Sequence, residues 1–187
     1  MRKRIGDIAK IKTGVYLKPT AQGELVYLQA KHFNEEGELS SELFPDIEWQ
    51  EVSQNHHLKP GDVLFAAKGF KNFATVYEQR NLPAVASTSF FVISITKNHI
   101  VPEFLAWFLN DSDTQFFLKG RAKGTSIPSI SKETLEALEI PIPSLEKQKM
   151  VVQIHQTRRK EKLIRAKLEI QKDQQIQILI KQAIDKK

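Results

Sequence analysis

The stretch that decides the fold begins at residue 144 and reads SLEKQKMVVQIHQTRRKEKLIRAKLEIQKDQQIQILIKQAI as far as Ile184. It contains no proline or glycine, and most of its residues are good or tolerable helix formers. Ser144 is a suitable N-cap and Glu146 places a carboxylate in the first turn. The stretch predicts one α-helix of roughly 60 Å. Because that length exceeds the diameter of a domain built from residues 1–143, we expect the helix to project.

The apolar residues of this helix are spaced mostly by three, four or seven and predict a single stripe. They are Val151, Ile154, Ile164, Leu168, Ile176, Leu179, Ile180, Ala183 and Ile184. A stripe on so long a helix favours a coiled coil, with Ile154, Ile164, Leu168, Ile176, Leu179 and Ala183 as interface residues. Glu161, Gln171 and Gln175 fall in or beside the seam, which favours a short antiparallel pairing over a long zipper. The alternative is a helix folded back on its own domain.

Composition limits the class of protein. The chain has 187 residues, 41% hydrophobic and 27% charged, which fits one globular domain over 1–143 and a helix over 144–187. There is no apolar run of 18 residues and no signal peptide pattern, so we expect a cytoplasmic protein. The absence of cysteine excludes disulfides and thiolate chemistry.

The positive charge is unevenly distributed. The net charge is +6, and residues 144–187 carry 12 Lys or Arg against 5 Asp or Glu. Within residues 33–57 there are seven acidic residues and no Lys or Arg, so the rest of 1–143 is also basic. Two basic surfaces therefore flank an acidic segment. A polyanion such as nucleic acid is the natural partner, and a merely solubilising surface is the alternative.

The remaining pattern predicts an α+β, mixed-sheet domain. We expect a short helix over 4–12, strands over 25–30, 63–67, 73–77 and 88–96, and a shorter strand near 47–52. Helices are predicted over 102–109, over 112–118 and from Ser131, followed by an extended Glu-Ile-Pro-Ile-Pro segment at 139–143. We expect the aromatic residues of the 102–118 helices, Phe104, Trp107, Phe108, Phe116 and Phe117, to be core.

Two loops combine cations, glycine and hydrogen-bonding side chains, which suits phosphates and base edges. They cover residues 68–72 and 120–126, and the basic start of the chain is a third element. The candidate DNA-binding residues are Lys10, Lys12, Lys18, Lys68, Lys71, Asn72, Arg121, Lys123, Thr125 and Ser126. If these elements converge on one face, the acidic segment should lie elsewhere, because its carboxylates would repel phosphates.

Catalytic and metal sites have little support in the sequence. His56 and His57 are adjacent in a predicted loop, and two histidines without further ligands do not make a metal site. Asp46 with Glu48 or Glu51 faintly resembles a nuclease carboxylate set, but no Glu-x-Lys completes it. There is no methyltransferase, dinucleotide-binding or P-loop motif. We therefore expect no catalytic residue, metal or cofactor on this chain.

Several short motifs, taken in order, resemble a known family. They are Arg4-Ile5-Gly6-Asp7-Ile8 with Gly14, Pro60-Gly61-Asp62-Val63-Leu64-Phe65, Ser87-Thr88-Ser89-Phe90, Pro102-Glu103-Phe104-Leu105, Gly124-Thr125, and Leu138-Glu139-Ile140-Pro141-Ile142-Pro143 with Glu146-Lys147-Gln148. Together they are similar to a target recognition domain of the specificity subunit of type I restriction-modification enzymes. The resemblance covers essentially the whole chain.

The resemblance implies a subunit that reads double-stranded DNA and performs no chemistry. Subunits of that family typically hold two recognition domains separated by two long helices, whereas this chain has one of each. It therefore resembles a half subunit, and two copies pairing through their helices would rebuild the usual arrangement. Methylation and cleavage, with S-adenosylmethionine and ATP, would then belong to partner modification and restriction subunits.

A protein-interaction adaptor, whose basic helix binds an acidic partner, is the second hypothesis. Phosphate contacts release counterions, so DNA binding that weakens with salt would distinguish a DNA reader from an adaptor.

Overall fold

The structure is a computed structural model and describes residues 1–34, 37–40, 42–78, 83–124 and 126–185. Its internal contacts divide the chain into two compact units, Met1–Gln148 and Lys149–Lys187. The boundary lies five residues beyond the one predicted after Pro143, because Gln148 is fully buried within the first unit.

The described chain alternates short strands with helices and ends in one long helix. In order, the elements are β1 Arg2–Arg4, α1 Ile5–Ile8, β2 Ala9–Thr13, β3 Val26–Leu28, β4 Val63–Ala66, β5 Ala74–Val76, β6 Ala84–Ala86, β7 Phe90–Ile95, α2 Pro102–Asn110, α3 Ser112–Lys119, α4 Lys132–Ala137, β8 Glu139–Pro141 and α5 Leu145–Asp185. Three short 3-10 turns, Ala30–His32, Trp49–Glu51 and Gln54–His56, lie between β3 and β4.

A four-stranded antiparallel sheet in the order β2-β7-β4-β5 forms the centre of the first unit. All four residues of β4 are buried, as expected of a short continuous apolar run. Two smaller pairs accompany this sheet: β1 with β8, which is antiparallel, and β3 with β6, which is parallel. The combination confirms the predicted α+β class.

Apolar side chains cover the central sheet. Leu64, Ala66 and Phe90 join Val26 and Leu28 of β3 in one buried cluster. Helix α2 packs against β4 and β5, and Asn110 of α2 is joined to β5 by two hydrogen bonds with the backbone of Ala74, each 2.7 Å long. The loop between β4 and β5 therefore starts and ends on a rigid support.

The predicted helix over residues 4–12 is wrong except for its middle turn, α1. Ile5 and Ile8 are buried there, but Ile11 belongs to β2 and pairs with Ile93. The sequence from Ala9 to Thr13 alternates buried Ala9 and Ile11 with exposed Lys10 and Lys12. That period of two is typical of a half-buried strand, and the pairing with β7 satisfies the backbone groups on the side that faces β7.

Two further expectations are corrected. The stretch 47–52 is not a strand: Ile47 forms an isolated bridge with Leu25 and a 3-10 turn follows. On α3, Phe116 is 83% exposed and Phe117 40% exposed, whereas Thr114 and Leu118 face the core. The N-capped helix after Ser131 is confirmed, since Ser131 Oγ accepts a hydrogen bond from Thr134 N at 3.2 Å.

The long C-terminal helix is confirmed. Helix α5 runs uninterrupted for 41 residues, and Ser144 Oγ accepts a hydrogen bond from Lys147 N at 3.4 Å at its start. Its apolar residues are not confined to one stripe, however. Leu163, Ile170 and Ile178 lie off the predicted stripe and are 47 to 57% exposed. Within the described residues, no helix is both long enough and apolar enough to cross a membrane.

Candidate nucleic-acid interface

The first predicted loop connects β4 to β5, and the side chain of Asn72 joins its two ends. Asn72 Nδ2 donates a hydrogen bond of 2.8 Å to the carbonyl oxygen of Ala66, at the end of β4. Gly69 has a φ of 101°, a conformation that side chains other than glycine rarely adopt. Lys68 and Lys71 are exposed. The amide of Asn72 therefore has a structural role in fixing the loop, besides any contact it makes with a ligand.

The second predicted loop is closed by a reciprocal pair of backbone hydrogen bonds. Lys123 N donates to Ser129 O at 3.0 Å, and Ser129 N donates to Lys123 O at 2.8 Å. Gly124 has a φ of 103°, and a Cβ on it would lie 2.9 Å from Ile127 O. Both constraints require glycine at this position. Lys123 and Ser126 are exposed, while the candidate Thr125 lies outside the described residues.

The two loops lie side by side, which the sequence alone did not reveal. Ser129 forms a second bridge with Lys68, Gly69 N donates to Pro128 O at 2.9 Å, and Ile130 N donates to Ala67 O at 2.9 Å. The chain around Ser129 is thus held between the two predicted loops. We call residues 68–72 and 121–129 together the paired loops.

The segments of the paired loops carry only positive charge. They contain Lys68, Lys71, Arg121 and Lys123, and the sequence places no acidic residue in 67–73 or 119–130. One carboxylate of α4 lies near them: hydrogen bonds with its own backbone and with Ser131 lower the pKa of Glu133, and the charges of Lys132 and Lys123 lower it further. Arg121 Cζ stands 3.7 Å above the centre of the Phe117 ring. A guanidinium stacked on its face keeps the N–H groups at its edge directed outward, the geometry that pairs with a base edge or a phosphate.

A cleft of about 570 Å³ lies beside β2. Four exposed lysines line it: Lys10, Lys12, Lys59 and Lys97. Lys12 Nζ donates to the carbonyl oxygen of Asn55 at 3.2 Å, which holds that ammonium at the cleft wall. We call these four residues with their surroundings the lysine cleft. Its cations suit an anionic ligand such as a phosphate backbone.

Among the residues that line the lysine cleft, Asp62 has a buried carboxylate that accepts hydrogen bonds from neighbouring residues. Asp62 accepts hydrogen bonds from Ser94 Oγ at 2.7 Å and from Lys59 N at 2.8 Å. Burial, and secondly the charge of Asp62, raise the pKa of Tyr77 above its ordinary value of 10.0. Asp62 therefore closes the turn before β4, and its bonds fix the position of the Lys59 backbone.

The three lysines at the basic start of the chain, Lys10, Lys12 and Lys18, do not all lie in the same place. Lys10 and Lys12 lie on β2 in the lysine cleft, whereas Lys18 lies exposed in the connection between β2 and β3. Lys59 and Lys97 were not predicted, because each stands outside the segments that the sequence singled out for DNA binding. The pairing of β2 with β7 brings the residues after β7 close to α1, as the bond from Thr96 N to Ile8 O shows. Only that long-range pairing assembles the cleft.

The acidic segment is not remote from the paired loops throughout its length. At its start Phe33 packs on Phe73, immediately after the first loop, with ring centroids 5.5 Å apart. Glu38 Oε2 accepts a hydrogen bond from Asn34 Nδ2 at 2.9 Å. Residues 35, 36 and 41 of this segment lie outside the described part of the chain. These contacts bring Phe33 beside the first loop but join no described carboxylate to the paired loops, so the expectation that residues 35–51 lie elsewhere stays a prediction.

His56 and His57 have distinct surroundings. His57 pairs with Val85 through its backbone and packs edge-on against Trp49, with ring centroids 4.3 Å apart. Its Nε2 atom is buried and has no hydrogen-bond partner among the described residues. In the part of the chain that the structure describes, no cluster of three or more His, Cys, Asp or Glu side chains could hold a metal ion.

The predicted helix interface is accessible in the single chain. Ile154, Ile164, Leu168, Ile176 and Leu179 are 49 to 60% exposed, and Ala183 is also exposed. Arg165 and Glu161 form an ion pair at 2.6 Å one turn apart, on a part of the helix where both side chains are largely exposed. Such a pair contributes little to stability. The second unit thus presents apolar side chains that nothing covers within it.

Comparison with known proteins identifies the family. Residues 1–178 match the family model of the type I restriction modification DNA specificity domain. The chain is 27% identical over 155 residues to the type I restriction enzyme MjaVIII specificity subunit of Methanocaldococcus jannaschii, a match that covers 81% of this chain and 34% of the relative. It therefore spans about a third of that relative's length.

Solved structures share the fold. A chain from a study of complex assembly and conformational transition in the type I R-M system has a TM-score of 0.66 at 19% identity, with 91% of this chain and 42% of that one covered. The HsdS subunit from Thermoanaerobacter tengcongensis has a TM-score of 0.61 at 17% identity, covering 86% and 37%. The S subunit from M. genitalium has a TM-score of 0.57 at 17% identity, covering 82% and 37%. This chain belongs to the family of type I restriction-modification DNA specificity domains.

Proposed function

We propose that the chain is the DNA-recognition component of a type I restriction-modification system and reads one half of a split duplex site. The convergence of the paired loops carries this proposal. Four cations, backed by buried β4 and joined through Ser129, form one surface without an acidic residue in its segments. A rigid surface of this kind can both hold the phosphate backbone and reach base edges in a groove.

The cations fall into two groups: some hold the phosphate backbone, and others read the edges of bases. Lys10 and Lys12 of the lysine cleft, together with Lys18, contact phosphates, and Lys59 and Lys97 extend that contact. In the paired loops at least one of Lys71, Asn72 and Arg121 reads a base. Arg121 is the strongest candidate, because Phe117 orients its guanidinium before DNA arrives.

Chemistry belongs to other subunits in this proposal. The family is one of DNA specificity domains. The chain would bind no cofactor of its own, and modification and restriction subunits would carry out methylation and cleavage. Its contribution to the assembled enzyme is the choice of site.

Helix α5 would join two copies of this chain. Its exposed stripe from Ile154 to Ala183 offers apolar area that a second helix can cover, and burial of such side chains is the main driving force of helix association. The second apolar set, Leu163, Ile170 and Ile178, gives the same helix a further exposed face.

The helix cations act mainly in the assembled complex. Arg158, Arg159, Lys160 and Lys162 lie within five consecutive residues of α5, outside the unit that holds the paired loops. We expect each to contribute less to DNA affinity of the recognition unit than a loop cation does. Their contribution should increase when the dimer lies along the duplex or meets its partner subunit.

Selection of bound duplexes from a random pool, with and without a modification subunit of the family, tests the function. A symmetric dimer should select a split inverted repeat whose halves are identical, because the symmetry of the protein is mirrored in its site. Binding should weaken steeply as salt increases. Two unrelated halves would contradict the homodimer, and the absence of any selected duplex would refute the DNA-reading role.

A further inference from the structure

The tip of the paired loops is apolar. Phe70 is 74% exposed and Ile127 is 66% exposed, although both lie among cations. Lys68 is bridged to Ser129 in antiparallel sense, and Gly69 N donates to Pro128 O at 2.9 Å. Phe70 directly follows Gly69 and Ile127 directly precedes Pro128, so each apolar residue is the chain neighbour of one end of that hydrogen bond. The two exposed residues therefore lie at the same end of the paired loops, which we call the apolar tip.

These two residues do not contribute to the core of the domain. The buried apolar residues at the base of the paired loops are Ala67 and Ile130, which are 3% and 1% exposed and are joined by a backbone hydrogen bond. Burial ends there, and the chain beyond it is shaped by Gly69 and Gly124, both at positive φ. The fold thus holds a phenyl ring and a branched aliphatic side chain in water, where each is unfavourable.

The surroundings of the apolar tip point to one kind of partner. Lys68, Lys71, Arg121 and Lys123 lie in the same segments, so the partner must be anionic around its edge and apolar where the tip meets it. Duplex DNA has this arrangement, because phosphates border grooves whose floors expose base edges and thymine methyl groups. An acidic protein surface would also attract the cations. Nothing in such a surface requires an apolar patch at the position of the tip, whereas the floor of a duplex groove supplies one.

Resting on the proposed function, we propose that Phe70 and Ile127 are base-contacting residues that the paired loops carry into a groove of the half-site. They discriminate by apolar contact with the bases, while the cations around them hold phosphates. Such a contact releases no counterion, so its contribution to affinity is independent of salt. This property separates it from every lysine contact on the same surface.

The test measures affinity of the full chain for the duplex that it selects, over a range of salt concentrations. Phe70→Ala and Ile127→Ala should each weaken binding about tenfold and leave the slope of log affinity against log salt unchanged. Lys68→Ala should instead lower that slope by about one. Phe44→Ala is the matched control, because Phe44 is 72% exposed but lies in the acidic segment, and it should bind as the unaltered chain does.

A second selection from the random pool extends the test. The Phe70→Ala and Ile127→Ala variants should select duplexes with relaxed preference at the same one or two positions. Both side chains are exposed, so thermal melting should show the variants folded. Unchanged affinity and unchanged consensus in folded variants, or loss of binding to a modification subunit alone, would overturn this inference. Failure of the unaltered chain to select any duplex would instead refute the proposed function.

Discussion

Gln148, in the first turn of α5, binds the backbone of Val101 at the start of α2. Its Oε1 accepts a hydrogen bond from Val101 N at 2.9 Å, and its Nε2 donates to His99 O at 2.8 Å and to Pro143 O at 2.9 Å. The side chain is fully buried. One glutamine thus satisfies three backbone groups and ties the first turn of the long helix to the recognition unit.

Replacing this glutamine should destabilise the protein. Gln148→Ala leaves Val101 N–H and two carbonyl groups without partners, and we expect the free energy of unfolding to fall by about 2 to 4 kcal/mol. Urea denaturation followed by circular dichroism measures it. Gln153→Ala, on an exposed position of the same helix, is the control and should change the free energy by less than about 0.5 kcal/mol. Equal stabilities of the two variants would contradict a structural role for Gln148.

Charge introduced into the stripe of α5 should separate the proposed dimer. Leu168→Glu with Leu179→Glu places two carboxylates where we expect a second helix, and burying them unpaired is unfavourable. Sedimentation at tens of micromolar should show a dimer for the unaltered chain and a monomer for the double variant.

The control for the helix experiment adds the same charge elsewhere. Gln174→Glu with Gln177→Glu changes two exposed residues of α5 that lie off the stripe, and the dimer should persist. An unaltered chain that sediments as a monomer would refute the homodimer, unless addition of a modification subunit restores a complex.

Two classes of cation should differ in their response to salt. Lys12→Ala and Lys18→Ala should weaken binding to all duplexes alike and lower the salt slope by about one each. Arg121→Ala should cost about 1 to 3 kcal/mol on the selected site and relax its preference at one position. Lys132→Ala, at the start of α4, is the control, because this lysine forms an ion pair with Glu136 of the same helix and is not among the proposed DNA contacts. Alanine changes in both paired loops that leave affinity and consensus untouched in folded protein would refute the assignment.

Phe117 should act on DNA through Arg121. Removing the ring with Phe117→Leu takes away the surface on which the guanidinium is stacked, without removing a charge. We expect a loss of affinity smaller than that of Arg121→Ala, with the salt slope unchanged. Combining the two changes should give no further loss beyond Arg121→Ala, because the ring has nothing left to orient. Additive losses in this double-mutant cycle would show that Phe117 contacts DNA independently.

Stability should decrease in mildly acidic solution because of His32. Burial first, then Lys31, lower the pKa of His32 from its ordinary value of 6.5, and Asp46 acts in the opposite direction. Its Nδ1 accepts a hydrogen bond from Gln29 N at 3.3 Å, which protonation removes. A lowered folded-state pKa means that the contribution is fully present above 6.5 and is lost as the pH falls through the folded value.

His32→Gln keeps an acceptor at this position and does not titrate, so its stability should vary less between about pH 7.5 and about pH 5. Urea denaturation at both values measures the difference. The pKa of His155 is also lowered, so the comparison between the two proteins, and not the pH profile of one, isolates His32. Parallel pH profiles would contradict this role of His32.

The long helix could be predicted because its signals are local. An uninterrupted run without proline or glycine, after Pro143 and Ser144, leaves the backbone one regular conformation that satisfies its hydrogen bonds, and the structure has 41 helical residues there. The strands β4 and β7 were predicted for the same reason, since a continuous apolar run fits the buried β4 and a β-branched and aromatic run fits the partly buried β7.

Residues 4–12 show where local signals fail. Isoleucines at positions 5, 8 and 11 satisfy the spacing of a helix, yet alternation from Ala9 to Thr13 satisfies that of a strand equally well. The partner strand β7 lies some eighty residues away along the chain and decides between them. A pattern of three residues cannot carry that information.

By itself the sequence determined the α+β class, the extent of α5, the family and the basic character of two loops, because each depends on neighbouring residues or on total charge. Only the tertiary structure decided that these loops meet through Ser129, that Lys59 and Lys97 join Lys10 and Lys12 in one cleft, and that Phe70 and Ile127 share an exposed tip. Those relationships are made by hydrogen bonds between distant segments. Their energies depend on the whole fold, which no local stretch encodes.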